Sequence, residues 1–162
     1  MKFLVLGHAR HGKDTVAERL AISLKLSYKG SSEVCAEFIK DKLGYDTAEE
    51  CFKDRVNHRA EWHKLIAEYC VEDKARLGRL IYQDNDIYCG IRAQDEVDAV
   101  IEEFDPFVIW VDATGRCPLE PADSMQLTYN HKWLYVDNNR DRDYLVAQIT
   151  VLTDAIRLMP RG

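Results

Sequence analysis

The chain has 162 residues, of which 46% are hydrophobic and 31% charged, with a formal net charge of −6. That length suits one domain around a single core, and the acidic balance excludes a partner held by a generally basic surface, whether nucleic acid or an anionic membrane. No apolar run approaches the roughly 20 residues that cross a bilayer, the run at residues 3–6 is too short for a leader core, and five cysteines without a CxxC pair argue for reduced thiols rather than disulfides or zinc, so a cytoplasmic protein is expected.

Residues 2–6, KFLVL, lack the alternation of a half-exposed strand and fit one buried on both faces of a parallel sheet. A helix follows from about Lys13 to Lys25, with Val16, Leu20 and Leu24 at fourfold spacing. LSYKG, Leu26–Gly30, reads as a second short strand. Ser31 or Ser32 can cap a helix over Glu33–Leu43, and Gly44 can stop it. From Thr47 to Leu80 the chain reads as helical and heavily charged, with an apolar stripe of Trp62, Leu65, Ile66 and Tyr69. DIYCGI, Asp86–Ile91, is the next strand, followed by a helix over Gln94–Phe104 that turns Val97, Val100 and Ile101 inward. FVIWVDA, Phe107–Ala113, is a further buried strand, Glu120–Asn130 is irregular, and WLYVD, Trp133–Asp137, is the last strand. The final helix runs over Asp141–Leu158, with Leu145, Ile149, Leu152 and Ile156 on one face. Strands alternating with helices predict an α/β domain with a mostly parallel five-stranded sheet and right-handed crossovers. The single domain is expected to fill residues 1–162, and the helical stretch at about 31–84 is long enough to cover a substrate.

The stretch GHARHGKDT, Gly7–Thr15, carries the chemistry. It fits G-x-x-x-x-G-K between a strand and a helix, the context a phosphate-binding loop requires. Glycines let backbone N–H groups curl around phosphates, and the helix N-terminus adds partial positive charge. Gly7, His11, Gly12, Lys13, Asp14 and Thr15 form the expected cofactor-binding set, with Lys13 reaching the β- and γ-phosphate oxygens. Asp14 stands where a Mg²⁺-ligating hydroxyl is usual; it is either a carboxylate ligand for Mg²⁺ or a helix-start residue favoured by the dipole. His8 and His11 suit packing within the loop better than catalysis. Arg10 points either at phosphate or at solvent.

Phosphate chemistry needs cations near the strand ends, and arginine forks suit it. Arg92 ends the third predicted strand, where it either meets a ligand or pairs with Asp95 or Glu96. In DRVNHRAEWHKL, Arg55, Arg59 and Trp62 share one helical face, which makes either a stacking plate with cation donors or a core tryptophan beside a solvated face. VDNN, Val136–Asn139, ends the last strand; Asn138 lies there close to a bound adenine, or the turn simply leads into the helix with Asn139 or Asp141 as cap.

GKDT after a first strand resembles the bacteriophage deoxynucleoside monophosphate kinases, and two further stretches agree, DIYCGIRAQDEVDAVIEEFDPFVIWVDATGR and WLYVDNNRDRDYLVAQI. The resemblance implies a three-layer P-loop kinase fold with a helical substrate-binding insertion. It implies transfer of the γ-phosphoryl group of ATP to a (deoxy)nucleoside 5'-monophosphate, with Mg²⁺, in a host cytoplasm. Arg92 would grip the acceptor phosphate, and Arg116 would belong to a short lid at about 113–130. Small-molecule nucleotides are the implied partners, with no stable nucleic-acid binding, and pairing as a homodimer. One departure stands out: the family often has an aspartate two residues before the arginine, and here that position is Gly90, so Asp14 or Asp112 would have to supply the missing carboxylate. Two other readings stay open, a kinase for another small acceptor or a modified base in DNA, and a nucleotide-binding regulator with weak catalysis. A GTPase is disfavoured because no NKxD-like signature occurs.

Overall fold

A computed structural model describes residues 1–159; the last three positions of the expected domain lie outside the described residues. Strands β1 (Phe3–Leu6), β2 (Ile87–Cys89), β3 (Phe107–Asp112) and β4 (Leu134–Asp137) form one wholly parallel sheet in the order β2-β1-β3-β4. The helices are α1 (Lys13–Leu24), α2 (Ser31–Leu43), α3 (Ala48–Asp54), α4 (Arg59–Tyr69), α5 (Arg76–Asp84), α6 (Gln94–Phe104) and α7 (Arg142–Leu158).

The unbroken apolar run of β1 has a direct cause in the pleat. Leu4 and Leu6 face a core that holds Ile39, Ile81, Tyr88, Val97 and Trp110, from α2, α5, β2, α6 and β3. Phe3 and Val5 face the opposite core, with Val16 and Leu20 of α1 and Leu145 and Ile149 of α7. Both faces of the strand are therefore apolar, and three layers result. Buried groups of this size contribute roughly 1.5–3 kcal/mol each. Shortening Ile87, which is fully buried, to valine is expected to cost about 1 kcal/mol in urea unfolding; a change below a few tenths would mean that the second core relaxes around the lost methyl.

The sheet has four strands, not five. Leu26–Gly30 is irregular, for a local reason. α1 ends in a left-handed Lys25, and the Leu26 N–H closes back on the Ala21 carbonyl. The Ser27 N–H and hydroxyl are then taken by the Asp86 carboxylate rather than by a ladder partner. Gly44 does stop α2 with a φ of 79°. The helical stretch from Thr47 to Leu80 is broken into three helices. Thr47 caps α3 by accepting from the Glu50 N–H, and a tight 3₁₀ turn at Arg55–Asn57 separates α3 from α4. That turn is pinned by Asp54, which accepts hydrogen bonds from Asn57 and Tyr45.

All four strands point the same way, so their C-terminal ends share one edge of the sheet. The crossovers leaving β1 and β3 depart to opposite sides, which opens a crevice at that edge between the two strands, where ligands of open α/β folds bind.

Candidate active site

The loop from Gly7 to Gly12 leaves β1 at this crevice. Gly7 has a φ of 146°, and a Cβ there would sit 2.4 Å from the Val111 carbonyl oxygen of the paired strand β3. Gly12 has a φ of 92° and leads into α1. Arg10, between them, also has a positive φ, of 64°, and is exposed. The loop is held from two sides. The Asn138 side chain, buried after β4, donates to the His11 carbonyl at 2.9 Å, while its backbone N–H bonds the Asp112 carbonyl at 2.7 Å. The Ala113 N–H donates to His11 Nδ1 at 3.0 Å, and the His11 side chain is fully buried. His11 and Asn138 thus shape the loop from behind, and any contact His11 makes with a ligand falls to its backbone. His8 is also inward, accepting from the Glu120 N–H at Nδ1; burial and neighbouring His11 hold its pKa below the ordinary value.

Lys13 opens α1 and folds back over the loop, its Nζ donating to the His8 carbonyl at 2.9 Å. The Ala9 N–H donates at 2.7 Å to Oε2 of Glu120. The other Glu120 oxygen accepts from Arg92, which also donates to the Ser124 carbonyl at 3.3 Å. Arg92 is therefore paired with Glu120, neither with Asp95, which meets Lys74, nor with Glu96. Burial pushes the Glu120 carboxyl up, but Arg92 and the Ala9 N–H outweigh it and hold it below the usual range.

A cavity of about 530 Å³ opens beside the loop. Lys13, Asp14, Arg55, Arg59, Trp62 and Arg92 all line it. Arg55 and Arg59 reach it from separate elements, since the 3₁₀ turn interrupts the helix expected to carry both. Arg55 lies over the Phe52 ring at 4.0 Å and donates to the Phe52 carbonyl. Trp62 is 4% exposed, so it is a core wall and no free plate; its Nε1–H is buried without a partner. Glu96 lines the same cavity, and its carboxyl is pushed above the usual range by burial and by Asp95, with Lys74 opposing. Thr15 is exposed on α1 and outside the cavity lining. Arg116 is also exposed, and its Nε donates to the Asn138 carbonyl at 2.7 Å, which ties it to the turn after β4.

Glu120 and Glu96 carry no sequence pattern that marks them. The one hint for Glu120 is its place between Pro118 and Pro121 in an otherwise irregular stretch.

The missing carboxylate at Gly90 has a cause in the backbone. Its φ is 108°, a region that strains an aspartate, and a Cβ would press Ser31 Oγ at 3.3 Å. Asp112 does not take over that place. Its carboxylate accepts from Thr114, from Asn139 at 2.9 Å and from Tyr135 at 2.9 Å. Burial raises its pKa, but these bonds prevail and lower it. Asp14 is different: Oδ1 accepts from Tyr28 at 3.1 Å, and the side chain is exposed at the cavity rim next to Lys13. Among the described residues no cluster of three or more His, Cys, Asp or Glu is arranged for a metal. Mg²⁺ held mainly by phosphates and water needs only one or two carboxylates, and Asp14 fits that demand.

No protein-family model matches the chain, and no curated protein does. Among solved structures, the crystal structure of a gluconokinase from Sinorhizobium meliloti superposes with a TM-score of 0.50 at 14% identity, covering 99% of this chain and 97% of the other. A sugar kinase from Janibacter sp. superposes with a TM-score of 0.48 at 15% identity, covering 94% of both chains. At such identities the likeness to the gluconokinase is one of fold: a parallel sheet flanked by helices. Among the described residues no helix is long and apolar enough to cross a membrane.

Proposed function

We propose that the protein is an ATP-dependent phosphotransferase whose acceptor is a (deoxy)nucleoside 5'-monophosphate. The observation that carries this reading is the meeting of Lys13 of the glycine loop with Arg92, Arg55 and Arg59 around one cavity of about 530 Å³. A phosphate donor on the loop and a second polyanion among the arginines would lie side by side there. An acceptor that is already an anion needs no strong base; it needs cations that overcome repulsion and stabilise the moving phosphoryl group.

In this reading the triphosphate lies along the loop N–H groups and the start of α1. Lys13 exchanges the His8 carbonyl for phosphate oxygens and follows their charge towards the leaving group. Arg92 grips the acceptor phosphate through its planar fork. Asp14 is the carboxylate that would hold Mg²⁺, which when bound would neutralise negative charge on the phosphates. The helices α2–α5 act as the acceptor-covering insertion, and the segment at about 113–130 as a lid. Trp62 and Glu96 line the same cavity and would form the wall against which a ring-shaped acceptor packs.

The test is ADP formation from ATP and Mg²⁺ with each ribonucleoside and deoxynucleoside monophosphate in turn, and with DNA, gluconate and other sugars as further acceptors. Turnover with one or a few monophosphates is expected. Turnover confined to sugars or DNA would replace the acceptor class. ATP binding without turnover on any acceptor would favour a regulator.

A further inference from the structure

Resting on the kinase reading, we propose that Glu120 is a built-in anion that holds the phosphate path in the empty protein, and that entering phosphate displaces it and releases the 113–130 segment. The contacts join one residue to both halves of the site. Its Oε2 accepts from the Ala9 N–H of the glycine loop at 2.7 Å. Its Oε1 accepts from Arg92, the cation assigned to the acceptor phosphate. Its own N–H donates to His8 Nδ1 at 3.0 Å. The Glu120 side chain is only 16% exposed. A backbone N–H at the glycine loop together with an arginine fork is the donor set that a phosphate oxygen seeks, and here a carboxylate satisfies both.

The segment is built to present that carboxylate. Pro118 and Pro121 flank Glu120 and restrict its backbone. The Ser124 and Met125 N–H groups both close on the Pro121 carbonyl. Arg92 is then enclosed by the same segment, donating to the Ser124 carbonyl and accepting from the Gln126 N–H through its own carbonyl. Glu120 and the Ser124 carbonyl share Nη1 of Arg92, so a phosphate that takes that nitrogen displaces the carboxylate, and a triphosphate cannot take the Ala9 N–H while Glu120 holds it. A donor nucleotide by itself removes one of the two partners of the carboxylate; an acceptor phosphate removes the other. Full release of the segment therefore asks for both substrates.

The probe is inorganic tripolyphosphate, which reports on the phosphate path and is indifferent to base and sugar. Isothermal titration of wild type, Glu120→Ala and Glu120→Gln is expected to give about tenfold tighter binding for the variants, the scale of one competing charge-assisted hydrogen bond removed. Glu120→Gln keeps the shape and carries the test if the alanine variant does not fold. In wild type, saturating tripolyphosphate together with inorganic phosphate, standing for donor and acceptor, is expected to speed amide exchange at Glu120 and Gln126, whose N–H bonds belong to the latched segment. Unchanged or weaker binding in the variants, or unchanged or slower exchange at those amides with both anions present, would overturn the proposal while leaving the kinase reading in place. No binding of tripolyphosphate to any of the three proteins would remove the phosphate site, and the latch with it.

Discussion

Lys13→Ala is expected to lower turnover by about 10²–10³-fold, the usual loss when one preorganised electrostatic partner of a transition state is removed, and to shift the melting temperature by no more than about 4 °C. The two effects separate because of where the side chain sits. Lys13 is the first residue of α1, where alanine is a good helix former. Its ammonium makes a hydrogen bond to the His8 carbonyl, and such a bond is worth about 1 kcal/mol net. Lys13 is the cation of the glycine loop that lines the cavity, whereas Arg92 is paired with Glu120 and Arg55 rests on Phe52. Steady-state turnover with the acceptor found in the panel, paired with thermal melting, checks both halves. Turnover within threefold of wild type would remove Lys13 from the chemistry.

Gly7→Ala is expected to act on stability, costing about 3 kcal/mol, or on the order of 10 °C in melting temperature for a chain of this size. Two penalties add. A φ of 146° lies where an L side chain is strained, and the new methyl would meet a carbonyl oxygen at 2.4 Å. That oxygen belongs to Val111 in the middle of the sheet, in a strand paired on both sides, so it cannot yield cheaply. Gly44→Ala is the matched control: its φ of 79° carries strain, but nothing lies within 4 Å of the added Cβ, so about 1 kcal/mol is expected. Equal melting temperatures for the two variants would contradict the close approach of β1 and β3 at this point.

The loop and the strands around it were readable because their physics is local. A strand buried on both faces must be apolar throughout, and FLVL, IYC and VIWV are. Two glycines and a lysine between such a strand and a helix bring free backbone N–H groups and a cation to one turn, and all of that is written within nine consecutive residues. The misread stretches depended on partners distant in sequence. Leu26–Gly30 has strand-like residues, but Asp86, 59 positions beyond Ser27, takes its donors. The break between α3 and α4 lacks a proline or glycine; it arises from Asp54 and its hydrogen-bond partners. Trp62 keeps helical spacing whether it stacks on a ligand or closes a core, and burial decides for the wall. Glu120 reaches Ala9 across 111 positions, a separation no window along the chain can register.

The clamp that Asn138 and Ala113 place on His11 has a thermodynamic consequence. The loop is tied to the ends of β3 and β4, so its conformational entropy is lost when the sheet forms and not when a ligand arrives. Whatever binds the loop then selects the folded chain as a whole. At a ligand concentration a hundred times Kd, that selection adds about 2.7 kcal/mol to the free energy of unfolding, and the addition is shared by residues of the sheet that the ligand never touches.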